Sequence, residues 1–304
     1  MSLLHSLVHV AVCLLFPPLL LGVIVKVKAF FAGRVGAPLL QPYFDLLRLF
    51  RKGSVFSRTT TWVFKAGPVV NLVAVCGALL LMPLGGHEAP LAFEGDVVLF
   101  AYLLGLGRFF TIAAALDTGS SFEGMGAARE ATFSAMAEPG LFLGLMVLVR
   151  KAGAASLTTM LGTEAVQRAW TETGGALVLV AVSFFVVLLV ENSRVPADDP
   201  TTHLELTMIH EVMVLDHSGP GFGAILYGAA LKLFLLGALV VGLVYPFSTG
   251  NPWADWGLFL VAMAGLAVAV GVVESIMARL RLLHVPRLLV AASILSVFGI
   301  ILAR

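Results

Sequence analysis

Four ionisable residues interrupt long apolar runs: Arg108, Glu138, Lys232 and Glu274. An ionisable side chain inside a membrane span is costly and marks a functional site by default. Each of these must meet an opposite charge or water. Two roles stay open for Arg108: a structural buried ion pair, or a charge that tunes the protonation of neighbouring acids. The second is the reading adopted, and Lys232 and Glu274 pose the same choice. Further acids gather around Arg129, at Asp117, Glu123 and Glu130, with Glu138 following. Glu138 precedes Pro139, which predicts a local helix break. Glu123 reads as a solvated loop charge.

The stretch from Glu191 to Gly219 is the densest in ionisable groups. It holds Glu191, Arg194, Asp198, Asp199, His203, Glu205, His210, Glu211, Asp216 and His217. Pro196 and Pro200 break helix, and a helix is predicted from Thr201 to about Ser218, ended by Gly219-Pro220. On it His203, Thr207, His210 and His217 share one face, and Glu205 and Asp216 another. Metal binding is not expected. His203 and His210 stand roughly 10 Å apart by helix rise, and the HExxH spacing of a zinc site is absent. Carboxylates and imidazoles within reach of water pass protons instead.

The elements that must position these groups are membrane spans. The chain has 304 residues, 59% hydrophobic and 12% charged, with a mean hydropathy of +1.00. A soluble domain carries about 25% charged residues. The expected fold class is therefore an all-α polytopic membrane protein, a single membrane domain over residues 1–304. About eight transmembrane helices are placed near residues 3–25, 66–84, 97–116, 131–149, 174–190, 223–247, 255–275 and 286–303. Residues 151–173 read as a modest polar loop. Lys and Arg crowd the first, third, fifth and seventh connections, so these face the cytoplasm and both termini lie outside. The first of them holds residues 41–52, predicted as an amphipathic helix on the inner membrane surface. An interfacial anchor and a docking surface for a peripheral subunit are compatible roles for it. A net charge of +1 argues against nucleic acid. Cys13 and Cys76 are the only cysteines and sit in apolar runs, so no iron–sulfur cluster is expected on cysteines of this chain.

The segment Glu191–Gly219 resembles the membrane subunit of formate hydrogenlyase and related group 4 nickel–iron hydrogenases. These belong to the family of the first membrane subunit of respiratory complex I. Glu191, Asn192, Arg194, Pro196, Asp198, Pro200, Glu205 and Leu206 match the family's frame. The run from His203 to Gly219 is closer to the hydrogenase branch. Gly33-Arg34, Gln41-Pro42-Tyr43, Asp45, Leu49 and Lys52 resemble that branch in the first connection. Gly126-Ala127-Ala128-Arg129 and Glu138 do so in the third. The arginine-x-Gly-Pro-Asn signature of the complex I branch is absent, and Val35-Gly36-Ala37-Pro38 stands near its place. The resemblance therefore does not carry quinone use over to this chain.

The resemblance implies a coupling subunit with no redox centre of its own, in a bacterial or archaeal cytoplasmic membrane. Its expected partners are the large and small subunits of a peripheral hydrogenase-like arm, an iron–sulfur subunit and antiporter-like membrane subunits. Nickel–iron and iron–sulfur centres would reside in those other subunits. Glu138, Glu191 and Glu205 match family acids on a proton route. Asp117, Glu130, Arg108, Lys232 and Glu274 are added from span position, and Asp198, Asp199, His203, His210 and Glu211 from the fifth connection. Arg34, Gln41, Tyr43, Asp45, Arg48, Lys52 and Arg194 are the expected docking residues of the peripheral arm. A complex I-type subunit contributing to a quinone site is the alternative within the family. An independent secondary transporter would be expected to show interrupted helices in two related halves. A plain anchor would have little need of Arg108, Lys232 and Glu138.

Overall fold

The computed structural model describes residues 3–199, 208–246 and 248–303. Eleven α-helices make up the described chain. They are α1 (Leu3–Leu15), α2 (Pro17–Phe31), α3 (Gln41–Phe50), α4 (Trp62–Leu81) and α5 (Asp96–Asp117). There follow α6 (Ser121–Ala152), α7 (Leu157–Met160), α8 (Thr163–Glu191), α9 (Gly219–Val244), α10 (Pro252–Ile276) and α11 (Val285–Leu302). Seven helices, α4, α5, α6, α8, α9, α10 and α11, are each long and apolar enough to cross a membrane. The pair α1 and α2, bent by 43° at its break, passes the same test together and makes eight spans if it crosses as one. The protein is an all-α polytopic membrane protein, as its composition predicts.

The bend in the first span has a local cause. Pro17 and Pro18 have no N–H to give, and Leu19 N–H bonds Phe16 instead of reaching back a full turn. The carbonyls of Leu14 and Leu15 are left without helical donors. Tyr227 on α9 donates to Leu14 O at 2.7 Å, and Tyr43 on α3 donates to Leu15 O. The two tyrosines thereby stitch α3 and α9 to the break.

Several helices outrun the sequence expectation. α6 begins at Ser121, so the third connection shrinks to residues 118–120, turned by Gly119 at φ +70°. α6 runs unbroken through Pro139. Within a bilayer no water replaces a lost backbone bond, so a span tolerates one missing N–H rather than unwinding. Residues 151–173 are largely helical: α6 ends at Ala152, α7 follows, and α8 starts at Thr163, kinked at Thr173. The helix predicted from Thr201 to Ser218 fails where it can be seen. Residues 200–207 lie outside the described residues, and Met208–Ser218 holds only a single 3-10 turn, Glu211–Val214. Side chains take the backbone groups a helix would use. Asp198 accepts from Ile209 N and His210 N, Arg129 donates to Met208 O, and Glu123 accepts from Asp216 N.

The helices α2, α5, α8 and α10 end, and α4, α6, α9 and α11 begin, at one end of the bundle. That end holds most of the Lys and Arg, and it is called the basic end below. Leu3 and Leu302, where α1 begins and α11 ends, lie at the opposite end.

Candidate functional site

Arg108 is placed mid-bundle by α5, nine residues before the helix ends, or roughly 13 Å by helix rise. Glycine brings its neighbours close. A Cβ on Gly107 would stand 2.7 Å from the Asn71 side chain of α4, so α5 and α4 meet with nothing between them there. From this wall Arg108 reaches two carboxylates on two other spans. Its Nη1 lies 2.6 Å from Glu138 Oε1 on α6. Its Nη2 lies 2.9 Å from both oxygens of Glu191 at the end of α8. Lys232 on α9 completes the set, with Nζ 2.7 Å from Glu191 Oε2. Lys232, Glu191, Arg108 and Glu138 thus form one unbroken ionic chain across four spans. It carries two positive and two negative charges. Neutrality overall is what makes such a group tolerable in an apolar bundle, and each member depends on the others.

The two ends of the chain differ. The Glu191 side chain is 5% exposed, and it borders a small polar cavity of about 50 Å³. Asn71, Glu130, Asn192, His210 and Lys232 line that cavity with Arg108. The Glu138 side chain is 43% exposed. It opens into a lateral groove of about 660 Å³ between α5 and α6, walled by Tyr102, Leu106, Phe109, Phe142 and Met146. A carboxyl in an apolar groove at span depth is satisfied on the Arg108 side only. The ionic chain therefore leads from an interior polar pocket to an apolar face on the side of the bundle.

A sequence pattern of the NADH dehydrogenase family matches residues 4–303. This chain belongs to that family. Formate hydrogenlyase subunit 4 of Escherichia coli is 32% identical over 294 residues, 95% of this chain and 94% of that protein. Hydrogenase-4 component C of the same organism is 31% identical over 243 residues, covering 80% of this chain and 75% of that one. One subunit of the NADH-quinone oxidoreductase of Paraburkholderia phymatum is 25% identical over 222 residues, 68% of this chain and 60% of its own length. The fold matches a chain of the membrane-bound sulfane sulfur reductase, an archaeal respiratory membrane complex. The TM-score is 0.82, with 23% identity and 99% of both chains covered.

Within this NADH dehydrogenase family chain, the expected site residues fall into distinct settings. Glu138, Glu191, Arg108 and Lys232 are brought together, and Glu130 and His210 join them at the cavity. Burial pushes the His210 imidazole below its ordinary range, which favours the neutral form. Asp117 stands apart. It accepts from Thr61 N at 2.6 Å, Thr61 Oγ1 at 2.8 Å and Phe64 N at 3.2 Å, and so holds the start of α4. Asp198 pairs with Arg279 at 2.8 Å and accepts from three backbone N–H groups, those of Asp199, Ile209 and His210. Glu211 opens the 3-10 turn. Glu274 is a separate centre, 3.0 Å from Lys28 and 3.3 Å from Arg194. His203 and Glu205 lie outside the described residues. Glu123 is fully buried, contrary to the expectation of a solvated charge.

The expected docking residues divide likewise. Arg34, Asp45, Arg48 and Lys52 are exposed at the basic end, with Gln41 donating to Asp45 at 2.9 Å. Tyr43 and Arg194 are turned inward, onto Leu15 O and Glu274. The sequence reading missed Asn71, whose amide lies between Gly107 and Gly228 at the cavity. Its signal was a lone amide in an apolar span. Among the described residues, no three His, Cys, Asp or Glu side chains converge to hold a metal ion.

Proposed function

We propose that this chain is the membrane-anchoring and coupling subunit of a proton-translocating oxidoreductase complex, in particular a hydrogenase-linked one of the formate hydrogenlyase or hydrogenase-4 type. The observation that carries the reading is the continuous ionic chain from Lys232 to Glu138. One guanidinium holds two carboxylates, so their protonation is coupled. A proton arriving on Glu138 removes its charge and weakens its hold on Arg108, and the guanidinium then rests on Glu191 alone. A proton on Glu191 does the converse, and frees Lys232 toward the cavity. An extra proton leaves the group with a net positive charge in an apolar setting, which drives a compensating release. The neutral imidazole of His210 and the carboxyl of Glu130 supply exchange groups on the cavity side.

In this reading the basic end faces the cytoplasm, where the excess of Lys and Arg belongs. The helix Gln41–Phe50 lies along the membrane surface, with Phe44, Leu47 and Phe50 about half exposed. Arg34, Asp45, Arg48 and Lys52 beside it receive a peripheral redox arm. The groove at Glu138 faces an antiporter-like membrane subunit, which takes the relay onward. This chain binds no cofactor of its own. Nickel–iron and iron–sulfur centres sit in the partner subunits, and the identity to the formate hydrogenlyase and hydrogenase-4 relatives favours that branch over quinone chemistry.

The test is Glu138→Gln in the complete complex, purified and reconstituted in vesicles. The expected result is an assembled complex that keeps its redox rate but loses most turnover-linked proton movement. Unchanged proton movement would exclude the relay.

A further inference from the structure

The strap Met208–Asp216 crosses the basic end and carries His210 to the cavity. It has little secondary structure of its own, and α6 holds it along one face. Glu123, Gly126 and Arg129 stand three residues apart and so share that face. Arg129 Nη1 donates to Met208 O at 2.7 Å, at the strap's start. Gly126 meets its middle: a Cβ there would stand 2.4 Å from Val212 and 3.0 Å from Ile209 O. Glu123 Oε1 accepts from Asp216 N at 3.0 Å, at the strap's end.

The two ends are fixed unequally. At the start, Asp198 also holds Ile209 N and His210 N, and is itself held by Arg279. At the far end the Glu123 carboxyl makes the tie from α6, backed by the His217 ring stacked 3.9 Å from Phe64. Glu123 is fully buried, and the strap group its carboxyl holds is Asp216 N. The carboxyl of Glu123 lies outside the ionic chain, and nothing in the relay uses it.

We infer that Glu123 is a positioning residue for the ionic chain: its carboxyl holds the strap against α6 so that His210 closes the polar cavity. Its consequence for turnover rests on the relay proposed above, but its effect on strap geometry does not. The acceptor oxygen does the holding, so glutamine in this place keeps the strap seated and alanine releases it.

The test uses the assembled complex in native membranes, with Val214→Cys as a reporter. Val214 is 4% exposed, on the inner side of the strap. A water-soluble maleimide reads its shielding, against the background of Cys13 and Cys76. Labelling should be slow in the parent and in Glu123→Gln. It should be about tenfold faster or more in Glu123→Ala, as expected when a buried backbone donor loses its acceptor. Protons moved per electron should fall in Glu123→Ala and be restored in Glu123→Gln. Gly126→Ala pushes on the strap without touching the carboxyl, and should reproduce both effects if Glu123→Ala fails to assemble. Slow labelling in both Glu123→Ala and Gly126→Ala would overturn the inference, as would fast labelling in Glu123→Gln. Fast labelling with full proton movement would overturn the link to the relay. If Glu191→Gln moves protons normally while Glu123→Ala still labels fast, the relay falls and the strap's latch stands.

Discussion

Carboxylates in two regions of this bundle are satisfied in two different ways. At the end opposite the basic one, Asp96 accepts from Ser156 Oγ and Leu157 N at 2.9 and 2.7 Å. Asp255 accepts from Ser248 Oγ, Thr249 N and Thr249 Oγ1, at 2.7 to 2.9 Å. All of those donors are neutral, and nearly all belong to adjoining loops. They fix a helix start and have no second state. In the middle of the bundle, Glu138 and Glu191 are held by Arg108 and Lys232 from other spans. There a change of protonation on one member alters what the next can hold. On the proposed relay, the donors of a carboxylate near a span decide its role, and not its depth alone.

Substitutions should separate the two regions by size of effect. The largest belongs to Arg108→Leu, which strands Glu138 and leaves Glu191 with Lys232 alone. Breaking a buried pair costs about 3–5 kcal/mol, so little folded chain should remain in the membrane fraction by quantitative blotting. Lys232→Met leaves Glu191 with Arg108 alone. The chain should assemble, with a lower melting temperature and proton movement reduced more than the redox rate. Asp255→Asn and Asp96→Asn should cost only about 0.5–2 kcal/mol each, the size of a lost helix cap. Thermal melting of the purified complex would show that loss, while protons per electron stay at the parent value. Loss of coupling in Asp255→Asn would erase the distinction between the regions.

The smallest effect concerns the strap. Burial against Phe64 pushes the His217 imidazole down to about 4. The folded form binds its proton less readily than the unfolded chain, whose imidazole titrates near 6.5. Stability from this group is therefore present above about 6.5 and is lost as pH falls toward 4. His217→Phe should flatten that part of the melting-temperature profile, and an unchanged profile would place the titration elsewhere.

Much of this was legible in the sequence. The spans followed from apolar runs, and Arg108, Lys232 and Glu138 stood out as charges within them. The pairing of Arg108 with Glu191 was not legible, since 83 positions separate them and no local pattern links them. That Asp117 also holds the start of α4, through Thr61 N and Phe64 N, was not legible, since 56 and 53 positions separate them. Glu123 was misread. The glycines Gly119, Gly124 and Gly126 suggest a loop, yet Gly124 and Gly126 lie inside α6, where Gly126 lets the strap approach. The strap itself defeated its helical pattern because Asp198, Arg129 and Glu123 claim its backbone groups.

The most direct measurement is the number of protons moved per electron by the Glu191→Gln complex in sealed vesicles, with its redox rate measured alongside. Glu191 is the member that touches both cations, so neutralising it interrupts the chain at its centre. The account predicts an assembled complex with a near-parental redox rate and a proton-to-electron ratio close to zero. A parental ratio in an assembled Glu191→Gln complex would contradict it.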